Sequence, residues 1–424
     1  MSRHLEIADA LYDEIKTMRT IDTHQHLVEE SARLSSHLDF SSLFDAYASH
    51  DLVSAGMPAS DLARFMSPET DLDEKWSLFA PHWDAARHTG YSTAIRLTIR
   101  DLYGAKDLDS STYGPITQRM RAANRPGVIR EVLYDKAGID WCLVHNIDGE
   151  QYPFRAETDR SLFKQVLVVA RFFGKVTMVE ELAGPTGVTP DSWSAYKRVI
   201  DWYFERYGDD AVAIKNNCPY WRSLKFDSVT DEVAAAIFER QYVRGESVTA
   251  AETKALQDAT FRHCIDRAIE YDLPVQIHTG YLAGNFGMDV NRIRAADLTN
   301  LFAEYPEARF DIFHISYPYH VELGTLAKNY PNVWLNFCWA WIIDPYASRQ
   351  ALLGYLTSVP TNKIFAFGGD VRIADPTYGH LLLAKRQIAL ALGQLVAESY
   401  FSASDALKIA RRILRDNAVE FFDL

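Results

Sequence analysis

Cysteine is scarce and scattered. Cys142, Cys218, Cys264 and Cys338 are the only four in 424 residues, and no Cys-x-x-Cys spacing occurs. That excludes a disulfide scaffold and a zinc ribbon. Excess positive charge is missing as well: 44 Lys and Arg face 57 Asp and Glu, for a net charge of -13. No basic run could follow a phosphate backbone, so nucleic acid is not expected as a partner. No uninterrupted apolar stretch is long enough to cross a bilayer, and the opening residues carry charge where a secretory signal would be apolar. A cytoplasmic protein without a membrane partner is the expectation, with a homo-oligomer left open. Internal repeats and low-complexity linkers are also lacking, which favours one domain over residues 1–424.

What is present is a regular alternation. The chain is 48% hydrophobic and 24% charged, ample for a large core. Apolar runs rich in branched and aromatic residues recur at 18–27, 140–146, 163–171, 211–217, 273–280, 309–316, 332–338 and 363–370, each followed by a helical stretch. Eight strand–helix units of this kind predict an α/β fold, a closed (β/α)8 TIM barrel. A barrel needs about 250 residues, so the rest must be inserted. The largest insertion spans about 28–132, leaves the end of strand one, and is helical by pattern at Ser41–Ala48, Trp76–Ala86 and Thr93–Leu102. It is expected to roof the barrel mouth. A second excess, 219–262, is helical at Val229–Gln241 and from Ala250, and a last helical segment, Ala403–Phe422, is expected to complete the outer ring.

His24-Gln25-His26 ends strand one, and a strand repeats its facing every second residue, so both imidazoles point one way. Paired imidazoles suit zinc, iron, nickel or manganese rather than calcium. Strand four ends in Lys215, strand five in His278, strand six in His314 and strand eight in Asp370. On a barrel those C-terminal ends converge, so six side chains far apart in sequence would meet around one centre. Period two places Ala211, Ala213 and Lys215 on one face of strand four, and Ala366, Gly368 and Asp370 on one face of strand eight, which leaves room for a metal cluster.

This pattern resembles the amidohydrolase superfamily, and within it the amidohydrolase-related branch that includes decarboxylases and FluG-type domains, with some similarity to uronate isomerases. The likeness runs from His24-Gln25-His26 through His278-Thr279-Gly280, His314-Ile315-Ser316 and Gly368-Gly369-Asp370 to Arg415-Asp416-Asn417. It implies that His24, His26, His278 and Asp370 correspond to metal ligands, with His314 either a ligand or a free catalytic group. Lys215 corresponds to a lysine that in several members takes up carbon dioxide, so that its carbamate bridges two metals. The other reading of Lys215 is a plain cation that binds an anionic substrate or an acidic neighbour.

Around this centre Arg222 offers a fork for a carboxylate, and Tyr220 and His145 lie at neighbouring strand ends as substrate contacts. Trp339 and Trp341 would wall the pocket or pack beneath a loop, and Arg96 stands in a helix of the insertion. The expected function is hydrolysis of an amide or lactone bond in a small polar, carboxylate-bearing substrate, with Asp370 and His314 catalytic. One or two divalent ions are expected, zinc foremost, with manganese, iron or nickel also suited. The alternative is a metal-dependent decarboxylase or sugar-acid isomerase on the same scaffold.

Overall fold

The computed structural model describes residues 3–45, 47–145, 158–173 and 176–424. Eight parallel strands run β1 (Thr20–Gln25), β2 (Ile139–Val144), β3 (Phe163–Val168), β4 (Ala211–Asn216), β5 (Val275–Ile277), β6 (Phe310–Ile312), β7 (Val333–Asn336) and β8 (Ile364–Phe365), each beside the next in sequence order. The ring returns from β8 to β1 through bonds just beyond the strands: Thr23 N donates to Phe367 O (3.1 Å), Asp370 N to His24 O (2.9 Å) and His26 N to Val371 O (3.1 Å). The expected (β/α)8 barrel with a helical insertion after β1 is the fold.

The strands' outward apolar residues pack on the surrounding helices. Inside, Ile21, Leu143, Val166, Ala213 and Phe365 form an apolar floor together with Ala418, Phe421 and Phe422. The segment after 403 therefore does more than complete the outer ring: its Asn417–Phe422 helix seals the N-terminal end of the barrel. Above the floor lies a buried polar layer. Asp22 accepts from Gly369 N (2.9 Å) and Gln25 Nε2 (2.5 Å), while Asp311 accepts from Asn336 Nδ2 (3.0 Å) and Gln276 Nε2 (3.1 Å). Burial, only partly offset by these donors, raises both carboxyls to about 7.

The inserted helices build their own aromatic core from Phe40, Phe44, Phe65, Phe79 and Trp83. That core is continuous with Phe313, Cys338, Trp339 and Val371 at the C-terminal ends of the strands. The insertion thus lies on the barrel mouth. Its helix Gly90–Tyr103 approaches the segment after β7 so closely that a Cβ on Gly90 would sit 2.4 Å from Ile342 O. The predicted helix at Ser41–Ala48 is instead a short 3-10 turn, Phe40–Phe44, followed by Ala48–Ser54. Asp39 caps that turn through Ser41 N (2.8 Å), and its other oxygen takes the buried Lys75 ammonium at 2.7 Å. This local capping outweighs helical continuity.

Candidate metal centre

Alternation alone does not deliver every functional side chain to the mouth. In β4, Ala213 joins the interior floor and Lys215, two residues on, follows it inward as expected. In β8, however, the inward residue is Phe365, while Ala366 packs in the outer core. The expected inward run Ala366, Gly368, Asp370 is therefore corrected at its first residue: Ala366 and Phe367 both pack outward, and the inward pair begins at Gly368, where a Cβ would meet Cys338, and continues to Asp370. Asp370 itself adopts φ 56°. His314 departs from alternation, since Asp311 and Phe313 face inward and the left-handed backbone at His314 (φ 60°) turns the next side chain back. In β1 the register slips between Asp22 and Gln25, so that the imidazoles succeed Ile21 and Thr23 on the inner face. Left-handed backbone in non-glycine residues is costly, and five of the nine such residues among those described, His314, Ile315, Ser316, Trp339 and Asp370, gather at the mouth, which points to a functional centre.

The side chains meet. His24 Nε2 lies 3.2 Å from His26 Nε2, and the two lie 3.5 and 2.9 Å from Asp370 Oδ1. His314 Nε2 lies 3.7 Å from Asp370 Oδ2 and 3.1 Å from His278 Nδ1. Backbone carbonyls set the tautomers. His26 Nδ1 donates to His145 O (3.1 Å), His314 Nδ1 to Cys338 O (2.8 Å) and His278 Nε2 to Tyr281 O (3.0 Å). With those nitrogens protonated, the opposite nitrogen of each neutral ring carries a lone pair, and these lone pairs face one another and a carboxylate. Such a cluster of acceptors is repulsive unless a cation lies among them. Donors separated by about 3 to 3.5 Å match ligands held about 2.0–2.2 Å from a shared ion. The residues present therefore fit a divalent metal.

The electrostatics agree with that donor set. Burial holds the His24, His145 and His278 rings well below the usual imidazole range and lowers His314 to about 4, so they are neutral ligands near pH 7. Burial by itself would raise Asp370; positive charge among His24, His26 and His314 outweighs it and holds the carboxyl well below its ordinary value, a charge that a divalent cation would supply among neutral rings. Lys215 is fully enclosed, its Nζ 3.0 Å from the centre of the Phe313 ring and without a hydrogen-bond partner. Burial lowers its amine to about 7, against the opposing fields of Cys338, Asp370 and Asp311.

Not every expected contact belongs to this centre. Arg222 spends its fork elsewhere: Nη2 donates to Asp258 Oδ1 (2.5 Å) and Lys225 O (2.9 Å), and Nε donates to Ser223 O (3.1 Å). The fork the sequence offered to a carboxylate is thus held in a buried ion pair with the helix Ala250–Glu270. Arg96 likewise pairs with Asp107 inside the insertion. His145 comes closer than a substrate contact, because a ligating atom of His145 lies within 4.8 Å of those of His24 and His26; its neighbour Asn146 lies outside the described residues. Tyr220 flanks the site, its ring 5.0 Å from that of His278. Trp339 walls it, 5.2 Å from the His314 ring, while Trp341 packs beneath, against Phe337.

Sequence reasoning missed two residues. Tyr47 of the insertion donates to Asp370 Oδ1 at 3.1 Å, and no local motif announces it. Cys338 places Sγ 3.7 Å from Asp370 Oδ2, and its signal was available: Trp334 and Asn336 face inward, so the same parity aims Cys338 at the mouth.

Comparison with known proteins matches this geometry. Residues 222–424 match the family described as Amidohydrolase. The chain is 31% identical to protein FluG of Emericella nidulans over 329 residues, covering 70% of this chain but 36% of FluG, so it spans about a third of that curated relative. A uronate isomerase from Thermotoga maritima superposes with TM-score 0.81 at 14% identity, covering 98% of this chain and 97% of that one. For a glucuronate isomerase from Caulobacter crescentus the values are 0.78 and 18%, over 99% and 94%. For a candidate metal-dependent hydrolase from Lactobacillus casei they are 0.67 and 15%, over 97% of each chain. At such identities the likeness to solved structures is one of fold. The resemblance to the amidohydrolase-related family, to FluG and to uronate isomerases is borne out, and the fold is the one these solved structures share.

Proposed function

We propose that the protein is a metal-dependent hydrolase that cleaves an amide or lactone bond in a small polar, carboxylate-bearing substrate. The observation that carries this reading is the carboxylate of Asp370, kept ionised at the meeting point of the imidazole lone pairs. His24, His26, His278 and Asp370 would hold a divalent ion, zinc by donor type, with His145 and His314 beside them. That ion would supply Lewis acidity toward a substrate carbonyl.

The remaining work falls to the chain's own groups. Asp370, as an ionised base, accepts the proton of the attacking water and returns it to the leaving group. The Tyr47 hydroxyl donates to Oδ1 and so steadies the carboxylate for that transfer. His314, neutral and fixed by the Cys338 carbonyl, turns its Nε2 lone pair toward the same centre. The roof of inserted helices keeps bulk water from this exchange. Lys215, poised as a neutral amine, has the form that carbamate formation requires.

A sugar-acid isomerase is the second reading. It is favoured by the Tyr47–Asp370 contact, since a hydroxyl beside a carboxylate offers the donor–acceptor pair that moves a proton between adjacent carbons. One experiment separates the two: metal-loaded protein is incubated with small carboxylated lactones, N-acyl amino acids and uronates, and the products are weighed by mass spectrometry. Gain of one water supports hydrolysis. Turnover at unchanged mass, or with release of carbon dioxide, overturns it.

A further inference from the structure

Asp370 turns its two oxygens to two different sets of donors. Oδ1 faces His24 Nε2 and His26 Nε2, at 3.5 and 2.9 Å. Oδ2 faces His314 Nε2 and Cys338 Sγ, each at 3.7 Å. The ligating atoms of His314, Cys338 and Asp370 all lie within 4.8 Å of one another, and all three residues are buried. We propose that His314, Cys338 and Oδ2 of Asp370 form a second, thiolate-containing cation site, so that Asp370 bridges two divalent ions of soft or borderline character. This rests on the reading of the centre as metal-binding.

Three features of the chain point to the sulfur as a ligand rather than as filler. The Cys338 amide is fixed by Asn336 Oδ1 at 2.8 Å, and the following residue, Trp339, turns left-handed at φ 62°, so the thiol is delivered to the mouth by a constrained segment. The Cys338 carbonyl accepts from His314 Nδ1 at 2.8 Å, which commits the Nε2 lone pair to the side of Oδ2. Opposite, strand eight gives up a side chain: a Cβ on Gly368 would lie 2.8 Å from Cys338 Sγ and 2.7 Å from its Cβ. A metal–sulfur bond of about 2.3 Å and metal–nitrogen or metal–oxygen bonds of about 2.0–2.2 Å place such donors roughly 3.3 to 3.7 Å apart, and the two contacts to Oδ2, from His314 Nε2 and Cys338 Sγ, are each 3.7 Å. Soft thiolate with imidazole favours zinc, cobalt or cadmium over magnesium and calcium. On binding, the sulfur loses its proton to solvent and a sulfur–metal bond replaces the S–H bond, with no change of oxidation state.

The test is a titration of metal-free protein with cobalt(II), followed by absorption. In the wild type, ligand-field bands should appear first, and a sulfur-to-cobalt charge-transfer band should grow in with the second equivalent. Cys338→Ser and Cys338→Ala, checked for intact fold by circular dichroism, should keep the first set and lose the sulfur band. His26→Ala should keep the sulfur band. Ligand-field bands with no sulfur band in the wild type, or a sulfur band that survives in both Cys338 variants, would overturn the thiolate site and leave the proposed function standing. Absence of any bound cobalt would overturn both.

Discussion

The Tyr47 hydroxyl and Asp370 Oδ1 are joined at 3.1 Å across 323 residues of sequence. One belongs to the inserted roof and the other to the end of the last strand, so the insertion reaches the carboxylate of the centre itself. A donor to the ionised form lowers a carboxyl's pKa, and its removal raises it. Tyr47→Phe should therefore keep its metal, move the acid limb of the kcat/KM profile to higher pH, and slow turnover roughly tenfold, as expected for about 1.5 kcal/mol from a hydrogen bond to a charged group. An unshifted acid limb would remove Tyr47 from the chemistry.

Asp370→Asn should lose turnover far more completely than metal. The amide oxygen still approaches a cation, but it cannot take a proton from water, and loss of a general base costs about 10² to 10⁴ in rate. Rates measured with excess metal, beside metal content by elemental analysis, check this. Near-normal turnover would transfer the proton step to His314.

Arg222→Met should act on stability alone. The Arg222–Asp258 pair is buried on both sides, but Asp258 would keep Lys254 Nζ at 2.6 Å, so losing the charged hydrogen bond should cost about 1.5–3 kcal/mol. Urea unfolding should show that loss while bound metal per chain stays at the wild-type level. A normal midpoint with a raised KM would restore Arg222 to the substrate.

Lys215 carries a pH signature in metal-free protein. Its folded value near 7 lies below the ordinary 10.5, so between those limits the unfolded chain binds the extra proton. Stability contributed by the residue is present at high pH and is lost as pH falls toward 7. Relative to Lys215→Met, the wild type should gain about 1.4 kcal/mol per pH unit over that window, read from paired denaturation curves. Parallel pH dependences would show that the amine is not neutral when folded.

The barrel and most of the centre were legible because both depend on period-two burial and on strand ends, which a sequence carries openly. His24, His26, His278, His314 and Asp370 were found by position alone. Why His314 faces inward was not legible, since it lies in left-handed backbone that breaks the alternation, and the outward pair Ala366–Phe367 after β8 was equally hidden. Tyr47 was hidden because its partner is fixed only by how the insertion folds over the mouth. The partner of Arg222 was not legible, because a free fork and a paired one look alike until the helix bearing Asp258 is in place. Cys338 was passed over as one of four scattered cysteines, although the inward parity of β7 already singled it out.

The join between β8 and β1 holds a mechanical consequence. The bonds that close the ring there involve the backbones of His24, His26 and Asp370, the same residues whose side chains converge on the centre. An ion held by those side chains would tie the first strand to the eighth, and so act on the chain as a crosslink around nearly the entire barrel. Crosslinks closing loops of a hundred residues or more remove on the order of 5 kcal/mol of freedom from the unfolded chain. Metal loss would then be felt first as an opening of the ring at this join, well before the helices outside it let go.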